Sequence, residues 1–138
     1  MDHLHLVYED ELLKLFWDTQ ARYHIAEWRG TVKGEKLRTS AYACVNASRT
    51  RPSTRWLADL SDHGAPDGSD QQWIVDDFYP RLARNGVRYV AFVVPEKTLL
   101  GIHVRRMSKA FTSEKASIDF QYHATRAEAA AWLATHAG

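Results

Sequence analysis

The chain has 138 residues, 45% hydrophobic and 25% charged, the make-up of one soluble globular domain. Its 18 Lys and Arg against 17 Asp and Glu leave a formal charge of +1, which argues against a dedicated nucleic-acid binder. The single cysteine, Cys44, excludes an internal disulfide and a cysteine-rich zinc site, and no apolar run approaches the roughly 18 residues of a membrane span. Met1-Asp2-His3 carries neither a basic n-region nor an apolar h-region, so one cytoplasmic domain over residues 1–138 is expected.

In chain order, Leu4–Tyr8 reads as a strand and Glu9-Asp10-Glu11 as a polar turn. Leu12 to Trp17 is apolar on both sides of Lys14 and fits either a strand or a short helix. Tyr23–Trp28 alternates and exits at Arg29-Gly30. From about Lys33 the period changes: Leu37, Ala41, Cys44, Val45 and Ser48 share one helix face, closed before Pro52. Trp56–Leu60 is a continuous apolar run ending beside Asp59, the pattern of a strand covered on both faces.

Ser61–Ser69 is a loop by composition, and Ser69-Asp70-Gln71-Gln72 reads as a capping box with Ser69 as the cap. Ile74, Phe78 and Leu82 continue that helix, Pro80 should bend it, and Asn85-Gly86 stops it. Val87–Val94 is the clearest strand. Leu99, Leu100, His103, Val104 and Met107 mark another helix. Ile118, Phe120 and Tyr122 alternate as a last strand, and Thr125-Arg126-Ala127-Glu128 caps a final helix. This order predicts an α/β domain: a mixed, mostly parallel sheet of about five strands with about four helices.

Chemistry-bearing motifs are sparse. His3-Leu4-His5 places two imidazoles together without a third ligand, so no metal site is expected. No Gly-x-Ser-x-Gly and no Gly-x-Gly-x-x-Gly occurs. Cys44 and His103 fall on apolar helix faces and read as packing residues. Asp59 and Asp62 around His63 form the one carboxylate–histidine cluster, the basis of an alternative reading as a small enzyme. Arg49, Arg51 and Arg55 lack the interleaved aromatics of a nucleic-acid stacking platform. Asp59 to Asp77 holds six aspartates and no Lys or Arg, flanked on both sides by basic segments. Such a surface suits protein docking.

Three places resemble a known family. Glu27-Trp28-Arg29-Gly30 ends an early strand, Trp56-Leu57-Ala58-Asp59-Leu60 looks like a central strand ending in aspartate, and Trp73-Ile74 through Pro80, Gly86 and Val90-Ala91-Phe92-Val93 resemble the helix, glycine stop and strand that follow. A capped helix carrying Ala129-Ala130 and Trp132-Leu133 closes the pattern. Together they resemble the STAS-type anti-sigma-factor antagonists, in particular the divergent SpoIIAA-like branch. The resemblance implies a non-enzymatic regulatory or interaction domain without cofactor, binding a protein partner or a small apolar ligand; a homodimer is compatible with it.

The family's switch serine lies at the N-terminus of the helix after the central strand, which makes Ser69 the candidate phosphosite. Here, however, Gly68 precedes it and Asp70-Gln71 follow, unlike the family's motif. Binding sites of α/β sheets gather beyond the carboxyl ends of the parallel strands. The expected contact surface is therefore Asp62, His63, Asp67, Ser69, Asp70 and Trp73. As a loop feature it should tolerate Asp67→Lys with Asp70→Lys at no cost in melting temperature.

Overall fold

Alternation along the strands sorts the apolar residues onto two faces of one sheet. The computed structural model describes residues 3–30, 33–64, 66–95, 98–114 and 118–136. Strands β1 (Leu4–Glu9), β2 (Leu13–Asp18) and β3 (Tyr23–Gly30) pair antiparallel in turn. β3 then pairs in parallel with β4 (Arg55–His63), β4 with β5 (Tyr89–Val93) and β5 with β6 (Asp119–His123). Among the described residues the sheet is thus six-stranded in sequential order, against about five strands expected. Leu12–Trp17 resolves as a strand because Leu13 and Leu15 enter one core at a period of two, and Trp17, the next residue in that period, is buried against His24.

Helices α1 (Gly34–Thr50), α2 (Gly68–Trp73), α3 (Tyr79–Arg84) and α4 (Leu99–Glu114) contribute to the larger core. They meet Ala26 and Trp28, Trp56 to Leu60 at every second residue, and Val90 and Phe92. Helix α5 (Arg126–Ala134) covers the other face, where Tyr23, Ile25, Leu57, Ala91 and Val93 meet Ala129 and Leu133. β4 is consequently covered on both sides, as its unbroken apolar run requires.

Two local departures bear on the site. β4 continues through Ser61, Asp62 and His63, and its end pairs with β3 through Arg29 opposite Asp62 and Gly30 opposite His63. The following loop is correspondingly shorter than expected; its Ala65 lies outside the described residues. Between α2 and α3 the chain makes a π-turn, Ile74–Phe78, with the Tyr79 N–H reaching back to Ile74 O. Pro80 opens α3, where its missing N–H is harmless, so the expected perturbation takes the form of a widened turn. α2, the π-turn and α3 run on as one stretch, giving four helical stretches among the described residues.

Candidate functional site

The acidic segment at the end of β4 divides into exposed and buried parts. Asp62, Asp67 and Ser69 are exposed. The helix cap is Asp67, whose Oδ1 accepts from the Asp70 N–H at 3.0 Å and from the Ser69 hydroxyl at 3.0 Å. Those bonds, led by the Asp70 N–H, hold the Asp67 carboxyl below its usual range. Ser69, expected to be the cap, lies inside the first turn. The aspartate two residues earlier already has the extended backbone a cap requires.

Asp70 is not part of the surface. It is 2% exposed, and its Oδ2 accepts from the Gly34 N–H at 3.1 Å while Oδ1 lies 4.0 Å from the Arg38 guanidinium. α1 has no side-chain cap of its own at Lys33, so Asp70 supplies the missing acceptor from 36 residues away. Trp73 is half-buried over α1, edge-on to Tyr42 at 5.6 Å and beneath the Arg38 guanidinium at 5.3 Å. Asp70→Lys therefore strikes a buried tie, and the expectation that the paired lysine substitutions cost nothing is withdrawn.

The carboxylate of the alternative enzymatic cluster is also committed. Asp59 stands opposite Glu27 across the β3–β4 ladder, and Arg126, the first residue of α5, bridges both. Its Nε donates to Asp59 Oδ2 at 3.2 Å, and the Ser61 hydroxyl donates to Asp59 Oδ1. The imidazole of His63 lies outside the described residues. No group of three or more His, Cys, Asp and Glu able to hold a metal comes together among the described residues. Cys44 is fully buried, and burial pushes its thiol up, away from nucleophilic use. An enzymatic reading is not favoured.

What the sheet and helices do leave between them is a partly open apolar cavity of about 70 Å³. Trp28, Trp56 and Phe92 form its floor on the sheet; Leu37, Leu100 and Met107 close it from α1 and α4. Pro66, from the loop after β4, reaches its edge, which places it toward the carboxyl ends of the parallel strands. There is room for more than one water-sized sphere, but almost no polar partner for one. Engineered apolar cavities of about 150 Å³, roughly twice this volume, stay dry and accept benzene, so a guest of that size needs the wall to give. On the same helix as Leu100 and Met107, Leu99 and Ile102 are 63% and 54% exposed. Sequence reasoning placed these wall residues in the core without foreseeing the gap.

No family model matches the chain, and no curated protein matches it. Among solved structures, it is similar to an uncharacterised protein of the DUF3478 family with a SpoIIAA-like fold from Shewanella loihica PV-4. The TM-score is 0.56 at 16% identity, over 94% of this chain and 91% of that one. The fold is therefore SpoIIAA-like. Among the described residues no helix is long and apolar enough to cross a membrane.

Proposed function

We propose that this chain is a non-enzymatic regulatory domain of the STAS type that binds a small apolar ligand in its core cavity. The observation that carries the reading is the cavity itself, a gap walled by two tryptophans, two phenylalanines, a tyrosine and aliphatic side chains in an otherwise close-packed interior. Binding would recover dispersion contacts that the empty wall lacks. Met107 has three rotatable bonds and can repack around guests of different shape.

Trp28 and Trp56 make the site self-reporting. Titration with hexan-1-ol should change their fluorescence saturably. Ala58→Leu, which extends a wall residue into the gap, should abolish the change while leaving the circular-dichroism spectrum intact. A linear, unsaturating response, or an unchanged response in Ala58→Leu, contradicts the reading.

A second reading, a protein partner on the same domain, is supported by the exposure of Asp62 near the end of β4 and of Asp67 and Ser69 just after it. It predicts binding that weakens with salt and in Asp62→Lys with Asp67→Lys. A phosphate on Ser69 would meet the Asp67 carboxylate that now accepts its hydroxyl, so modification would break the cap of α2.

A further inference from the structure

On the outer side of the helical layer, a groove of about 300 Å³ runs between α1 and α3. Tyr42, Asn46 and Arg49 line it from one helix, and Arg81, Arg84 and Asn85 from the other. The two walls are pinned together: the Asn85 amide donates to Val45 O at 3.1 Å and to Ser48 Oγ at 2.9 Å. Three guanidinium groups line this groove and no carboxylate does. Arg81 is stacked on the Tyr42 ring at 5.3 Å and paired with Asp77 at 2.9 Å, which fixes its direction. Among the described residues Arg49 donates only to the neutral Asn46 Oδ1, and neither Arg49 nor Arg84 has a carboxylate within ion-pairing distance.

Elsewhere several cations are neutralised: Lys14 and Arg29 by Glu9, Lys36 by Glu11, Arg126 by Glu27 and Asp59. Arg49 and Arg84 each suit the C-terminal turn of their own helix. That accounts for either one alone, but not for the two turns meeting at one groove with a third guanidinium oriented beside them. Three guanidinium groups less the one paired with Asp77 leave two positive charges. Two charges match a phosphate monoester, which carries about −1.5 to −2 at neutral pH. Planar guanidinium forks engage phosphate oxygens two at a time.

We infer that the α1–α3 groove binds a soluble phosphate monoester, with Arg49 and Arg84 as its charge-pairing ligands and Arg81 as the pre-oriented third donor. The site is separate from the core cavity and does not depend on it. The test follows the arginine Nε–Hε resonances during titration with inorganic phosphate and with glycerol 3-phosphate, against sodium chloride at matched ionic strength. Saturable shifts at Arg49, Arg81 and Arg84 are expected, weakened about tenfold or more in Arg49→Gln with Arg84→Gln, both exposed enough to leave folding intact. Arg106→Gln, exposed on α4, should bind as the parent does. Shifts that chloride reproduces, an unchanged affinity in the double variant, or binding seen only with anionic vesicles would each overturn the assignment.

Discussion

His24 should make the fold acid-sensitive in a defined window. It sits on β3 at 1% exposure, with its ring between Trp17 at 4.8 Å and Trp56 at 5.0 Å, and its Nδ1 has no hydrogen-bond partner among the described residues. Burial first, and then the charge of Arg51, lower its pKa from 6.5 to about 4. The unfolded chain accepts a proton that the folded one refuses. The imidazole thus imposes no penalty above the unfolded value, and stability falls as pH drops through 6.5 towards 4. The whole shift corresponds to on the order of 3 kcal/mol, and about 2 kcal/mol of it falls between about pH 7 and pH 5. Asp10 also loses stabilisation in acid. Burial opposes its ionised form, but bonds from Ser40, Tyr8 and the Leu12 and Leu13 N–H groups outweigh that and lower its pKa, so its contribution comes at lower pH. Urea unfolding followed by circular dichroism at several pH values above about 5 isolates His24. His24→Phe keeps a flat ring between the tryptophans and removes the orphaned nitrogen. It should abolish the pH slope without loss of stability at neutral pH. The same slope in parent and variant would refute this account.

Three further outcomes follow from the ties around the site. Asp67→Ala should cost about 1 kcal/mol, while Ser69→Ala should stay within about 0.5 kcal/mol, by thermal or urea unfolding. The opposite order would return the cap to Ser69. Asp70→Lys should destabilise by about 3 kcal/mol or more, because it removes the acceptor for Gly34 and buries an ammonium beside Arg38; Asp67→Lys should cost only the cap. Arg126→Ala leaves Glu27 and Asp59 side by side on partly exposed strand positions. It should cost about 1 kcal/mol, shrinking as salt is added, and a loss independent of salt would exclude charge repulsion as its cause.

The parallel half of the sheet was legible because its strands are either unbroken apolar runs or clear alternations, and the Asn85-Gly86 stop and the Thr125 cap are local chemistry. What was not legible depends on contacts far apart in the chain. Ser69 and Asp67 each stand three residues before a plausible N3 partner, and only the backbone at Asp67 decides between them. Ser61-Asp62-His63 read as loop because its residues are polar. They remain in the strand because the end of β3 offers a hydrogen-bonding edge. Asp70 looked like a surface acid because its partners, Gly34 and Arg38, lie more than thirty residues earlier. The same distance hid the groove: Arg49 and Arg84 each belong to a different helix end, and only the packing of α1 on α3 unites them.

Crystals held under xenon pressure test the core cavity as a binding site directly. Xenon is apolar, carries no specific chemistry, and enters gaps that aliphatic and aromatic walls leave empty. Density is expected among Trp28, Trp56, Phe92, Leu100 and Met107, and is expected to be absent in Ala58→Leu. Density confined to the surface near Leu99 and Ile102, or no bound xenon in the parent protein, would contradict it.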